Sequence, residues 1–189
     1  TPLIVGVGRL VPVKRFDRLI RAVVEARRSA PELELVLVGT GPDQEELESL
    51  VDDLDARSFI RFAGRVSDEE LVRTYQSAWA VASSSVREGW GMTLTEAAAC
   101  GTPAVATRIP GHVDALAEGR SGLLANDDAD LARQIARIAT DASLRERLTT
   151  GALEHAGHFS WDATATRIME ILVDEALGRP GLRRPGTSG

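Results

Sequence analysis

The sequence predicts an α/β fold built on a parallel sheet. Short apolar, β-branched runs alternate with longer segments of helical period. Each connection between successive runs is too long for a hairpin, so the strands are joined by crossovers. Glycine closes or follows the early runs at Gly8, Gly39 and Gly64. In such a sheet a ligand belongs at the carboxyl ends of the strands, where these loops lie.

The run LIVGVG at 3–8 reads as the first strand, and the loop Arg9 to Lys14 follows it. Phe16, Leu19, Ile20, Val23 and Val24 recur at helical spacing, which predicts a helix from Phe16 to about Ala30, closed by Pro31. Leu33 to Val38 is the second strand, ending in Gly39-Thr40-Gly41-Pro42. Asp43 suits the N-cap of a helix reaching about Leu54. Phe59 to Phe62 is the third strand, followed by Gly64-Arg65-Val66. Ser67 and Glu70 form a capping box for a helix to about Ser77. Ala78 to Ser83 is the fourth strand.

The segment VREGWGMTLTEAAACGTP at 86–103 then holds a turn, Gly89-Trp90-Gly91, and a helix from Met92 to about Cys100. Gly101 fits its C′ position and Pro103 prevents continuation. Ala104 to Thr107 is the fifth strand, a short helix falls near Val113 to Ala117, and Ser121 to Leu124 is the last strand. Helical period returns over 127–140 and 143–156, and Ser160 caps a final helix to about Leu177. Residues 1–178 are therefore expected to form one Rossmann-like domain with helices on both faces of the sheet. The tail at 179–189, rich in Gly and Pro, is expected to be disordered.

Apolar content of 43% and charge of 26% are ordinary for a globular chain of 189 residues. No apolar run reaches the roughly 18 residues of a membrane span. A net charge of −6 argues against nucleic acid as a partner. Cys100 is the single cysteine, which excludes an internal disulfide, fits a reducing, cytoplasmic compartment, and reads as a small core residue. The chain begins Thr-Pro with no signal-like segment, as a piece of a longer protein would.

Several site chemistries can be tested on spacing. Gly6 and Gly8 begin a dinucleotide fingerprint, but Val11 stands at the third glycine position, and no Walker A loop is present. His112, His155 and His158 make no metal-ligand spacing with the cysteine. The spacing therefore implies neither cofactor nor metal. Arg9 and Lys14 flank one strand-to-helix loop on the ligand edge, and Lys14 is the one lysine among 22 cationic side chains. A guanidinium fork and a compact ammonium there suit a pyrophosphate. Glu88 and Glu96 bracket the glycine-rich turn and the start of the apolar helix. Carboxylates accept hydrogen bonds from hydroxyls, and a helix N-terminus suits phosphate. A glutamate early in a helix also complements the dipole, so Glu96 has a purely structural alternative.

Four segments carry a resemblance: VGRLVPVKRFDRLI at 7–20, LVLVGTGP at 35–42, IRFAGRVSDEEL at 60–71 and EGWGMTLTEAAACGTPAVAT at 88–107. In this order and spacing they resemble the C-terminal, nucleotide-sugar-binding domain of retaining GT-B glycosyltransferases of family 4, over nearly the whole chain. The last segment holds that family's E-x7-E motif, Glu88 to Glu96. The resemblance implies that Arg9 and Lys14 hold the donor diphosphate, Glu88 the donor sugar and Glu96 the ribose. It places Gly91, Met92, Thr93 and Leu94 along the diphosphate and sugar, Arg65 and Val66 beside the nucleobase, and Gly8 and Gly41 in loops facing the donor. Arg9, Lys14 and Glu88 are the residues it makes catalytic.

The same resemblance implies a hexosyltransferase that is metal-independent, with a nucleotide sugar as donor substrate and no cofactor. Its acceptor would be held by an N-terminal domain outside this chain, so the isolated domain is expected to be weakly active or inactive. Peripheral contact with the inner membrane face, if any, would lie in the full-length protein. Asp114 departs from a pattern in which glutamate is frequent. A sugar-nucleotide epimerase of similar architecture and a non-catalytic nucleotide-sugar-binding module are the alternatives.

Overall fold

The computed structural model describes residues 2–177. Six strands form one all-parallel sheet: β1 (Leu3–Val7), β2 (Glu34–Val38), β3 (Ile60–Gly64), β4 (Ala80–Ser83), β5 (Ala104–Thr107) and β6 (Gly122–Ala125). Their spatial order is β3-β2-β1-β4-β5-β6, so the direction of winding reverses between β1 and β4. Val5 pairs with Val36 on one side and Val81 on the other. The crossovers carry helices α1 (Phe16–Ala26), α2 (Gln44–Asp53), α3 (Asp68–Ser77), α4 (Met92–Ala99) and α5 (Pro110–Ala115). After β6 come α6 (Asp128–Thr140) and α7 (Ala142–Ala156).

Strands β1, β2 from Leu35 onward and β6 read as unbroken apolar runs because both faces are covered, whereas edge strand β3 carries the exposed Arg61. Successive side chains alternate between two cores. Ile4, Leu35, Leu37, Ala82, Val105 and Leu123 join residues of α1, α2 and α6 on one face. Val5, Val36, Val38, Val81, Ala106 and Leu124 meet Tyr75, Leu94 and Ala115 from α3, α4 and α5 on the other. This is the Rossmann-like sheet, covered on both faces, that the sequence predicts.

Local chemistry explains several element ends. Ser67 and Glu70 form the expected reciprocal capping box at the start of α3. Gly101, at φ +79, supplies the left-handed residue that ends α4.

Some boundaries move. α1 stops at Ala26, because Arg28 and Ser29 donate to carbonyls only three residues back and tighten the last turn. α5 starts at Pro110, ahead of the expected Val113, because the fixed φ of proline suits the first helical position. Asp43 occupies the N-cap position of α2, but its backbone is already helical and its side chain caps nothing. Cys100 is the half-buried C-cap of α4 and packs against the second core.

Residue 157 opens a second compact unit. Its described element is helix α8 (Trp161–Ala176), whose N-cap Ser160 accepts from the Ala163 N–H. The tail expected to be disordered, 179–189, lies outside the described residues. Among the described residues no helix is long and apolar enough to cross a membrane.

Candidate functional site

The site forms where the chain leaves β1 and β4, at the winding reversal. β1 exits into a 3-10 turn, Pro12–Lys14, and then Arg15 adopts φ 50, ψ 45. That left-handed conformation is uncommon for a residue with a Cβ and must be held by its surroundings. The Arg15 guanidinium grips both oxygens of Asp17 at 2.9 Å. From the other exit, the buried Ser84 hydroxyl lies 2.6 Å from the Arg15 carbonyl oxygen and 3.0 Å from that of Lys14. The Val86 N–H donates to Val13 O at 3.0 Å. The β4 exit thus fixes the turn that presents Lys14.

Lys14 reaches across this seam. Its Nζ lies 2.6 Å from Glu88 Oε1, and the Ser85 hydroxyl donates to the same oxygen at 2.7 Å. Burial alone would raise the Glu88 carboxyl. The hydrogen bonds from Lys14 and Ser85 outweigh it and hold the group below the usual carboxylate range. Glu88 is therefore an anion in a half-buried place.

Glu96 lies in the body of α4, beyond its first turn. Its Oε2 accepts from the hydroxyl of buried Tyr75 on α3 at 3.0 Å. Burial, with the adjacent Glu96 charge, pushes the Tyr75 hydroxyl far up, so it remains a proton donor. Glu96 thus has a specific partner that a role in dipole compensation does not require. The N-terminus of α4 has no side-chain cap. Met92 is exposed, Thr93 is half-buried, and Gly91 and Leu94 are buried. Leu94 spends its side chain in the second core, which leaves its backbone for any ligand.

Arg9 is exposed at the mouth of a cleft of about 420 Å³. Gly8, Thr40, Arg65 and Val66 line the same cleft, at the carboxyl ends of β1, β2 and β3. The Lys14 side chain runs close to Gly8, where a Cβ would sit 3.5 Å from its Cε. Arg9 and Lys14 both stand on the connection between β1 and α1. Gly41 makes its close approach to protein: a Cβ there would fall 2.1 Å from Leu10 O. Asp114 is exposed on α5.

Sequence reasoning missed Ser84, Ser85, Tyr75 and His112. His112 is 1% exposed and touches Thr107 and Ser83, which places it behind Glu88. The serine run 83–85 on the ligand edge was a visible signal for two of them. Nothing in local spacing marks Tyr75 or His112. Among the described residues no group of His, Cys, Asp and Glu is arranged to hold a metal ion.

The family model described as Glycosyl transferases group 1 matches residues 1–155. D-inositol 3-phosphate glycosyltransferase of Stackebrandtia nassauensis is 37% identical over 178 residues, covering 88% of this chain and 40% of that protein. Sucrose-phosphate synthase of Thermosynechococcus elongatus superposes with a TM-score of 0.80 at 27% identity, over 94% of this chain and 46% of that one. Anabaena HepE, solved with UDP and glucose, gives 0.79 at 24% identity over 91% and 48%, a likeness of fold. The chain spans about two-fifths of the length of the curated relatives it matches. By the match over residues 1–155, it belongs to the glycosyl transferases group 1 family.

Proposed function

We propose that this chain is the nucleotide-sugar-binding, C-terminal domain of a retaining, metal-independent GT-B hexosyltransferase of family 4. The observation that carries the reading is the cluster at the winding reversal: Lys14, Glu88 and Ser85 joined at 2.6 and 2.7 Å, beside an uncapped helix start. Arg9 and the cleft with Arg65 and Val66 extend it toward a nucleobase.

In this reading the leaving nucleoside diphosphate gains negative charge as the glycosidic bond breaks. Lys14, Arg9 and the α4 N-terminus stabilise that charge, the part a divalent ion plays in other transferases. A helix terminus contributes about 0.3–2 kcal/mol, whereas one well-placed electrostatic donor contributes about 3 kcal/mol, so the cations dominate. Glu88 accepts from a sugar hydroxyl. Glu96, aimed by Tyr75, accepts from the ribose. Both carboxylates position the donor, and neither is asked to move a proton.

The acceptor would be held by the N-terminal domain of the full-length protein, and this chain alone would transfer weakly or not at all. Titration calorimetry with UDP, GDP and ADP tests the reading, with UDP as first probe. One of the three should bind. No heat from any of them in a folded sample would overturn it.

A further inference from the structure

Both ring nitrogens of buried His112 are engaged. Nδ1 lies 2.8 Å from the Thr107 carbonyl oxygen, which can only accept, so Nδ1 carries a proton and donates. In the neutral ring Nε2 is then bare and accepts from Ser83 Oγ at 3.1 Å. That bond uses the one proton of the Ser83 hydroxyl. Ser85 gives its own to Glu88 Oε1. The two serine oxygens stand 3.4 Å apart with no proton left to share, which accounts for the long separation. Protonating His112 changes the direction of the chain. Nε2–H would donate to Ser83, Ser83 to Ser85, and Ser85 to Glu88. The hydrogen bonds would then run unbroken from imidazolium to carboxylate.

The charged groups that act on the ring are Glu88 and Lys14. Arg87, Arg108 and Asp114, on the adjoining segments, are exposed. Burial pushes His112 below its ordinary value, the Thr107 carbonyl and Glu88 pull it up, and Lys14 pushes it down. While Lys14 sits on Glu88 the carboxylate is compensated and the imidazole is neutral. A ligand that draws Lys14 away removes the compensating cation.

We propose that His112 is a positioning residue for Glu88, acting through Ser83 and Ser85, and that it takes a proton from solvent when a nucleoside diphosphate draws Lys14 off Glu88. The ligand half of this rests on the donor-site reading above. His112 then supplies the counter-charge that keeps Glu88 ionised and aimed at the sugar.

Two experiments test it. Calorimetry of UDP binding in two buffers of different ionisation enthalpy should show uptake of a fraction of a proton, and H112Q should bind UDP without uptake. The second needs no ligand. In K14M the His112 imidazole, followed by NMR and assigned by replacing His155 and His158 with Gln, should titrate at higher pH than in the parent chain. Absence of binding by UDP, GDP and ADP alike would remove the donor-site reading and the ligand half, and the K14M titration still decides the coupling. An unmoved midpoint in folded K14M, or equal proton uptake by parent and H112Q, overturns the role of His112.

Discussion

Lys14 Nζ and Glu88 Oε1 meet at 2.6 Å although 74 positions separate them in the chain. The pair closes a seam between the exits of β1 and β4, and in the proposed reading a phosphate and a sugar hydroxyl would take its place. Lys14→Ala should therefore separate phosphate from nucleoside recognition. We expect the affinity for UDP to fall about 10- to 100-fold, as for loss of a charge-assisted bond of about 1.5–3 kcal/mol. Uridine should bind the variant and the parent alike. Equal losses for both, by calorimetry, would show that Lys14 does not touch phosphate.

Tyr75→Phe removes the hydroxyl that donates to Glu96 Oε2 and leaves the ring in the core. A loss of about 1 kcal/mol, roughly fivefold, is expected in UDP affinity. 2′,3′-Dideoxy-UDP lacks the hydroxyls assigned to Glu96, so its affinity should not change. If the variant weakens both ligands equally, Tyr75 serves packing and not the orientation of Glu96.

Acid should destabilise the chain in a window set by His112. Burial lowers its folded value beneath the ordinary 6.5, so the unfolded chain binds the extra proton first. The stabilisation is whole above pH 6.5 and is lost as pH falls toward the folded value. Glu88, held below 4.5, adds a lower step: its contribution is present above 4.5 and is lost as pH falls through its folded value. Urea midpoints measured from about pH 8 to 5 should decline for the parent and stay flatter for His112→Gln. Parallel curves would assign the decline to other groups.

Gly111→Ala should disturb the site through its backbone. A Cβ there would fall 2.4 Å from Glu88 O, closer than real atoms approach, so α5 or the Glu88 loop must shift. A cost of about 1–3 kcal/mol in thermal unfolding is expected, together with weaker UDP binding. Gly89→Ala is the control, since a Cβ there meets nothing within 4 Å. Similar losses from both variants would indicate general fragility of the loop.

The periodic elements were legible in the sequence because strand and helix periods are properties of neighbours. The capping box at Ser67 and Glu70, the strand at 104–107 and the glycine end of α4 needed only local chemistry. The start of α5 was not read because Pro110 looks like loop punctuation until the helix behind it is known. Glu88 and Glu96 were legible as a spaced pair on a loop and a helix. Tyr75, which bonds Glu96, and His112, which lies behind Ser83, stand 21 and 24 positions away from Glu96 and Glu88 on other elements; only the sheet's topology brings them close. Ser84 shows the same limit: its contact with Arg15 spans 69 positions.

The reversal of winding between β1 and β4 has a further effect. Residues from both halves of the sheet, Lys14 before it and Glu88 after it, meet there. A ligand seated there would act as a clasp between the halves, favouring the closed chain over any state in which one half has come loose. At a hundred times its dissociation constant such a ligand would add about 2.7 kcal/mol to stability. The bound nucleotide would then report on whole-domain integrity, and a fragment ending before β4 would lose this response altogether.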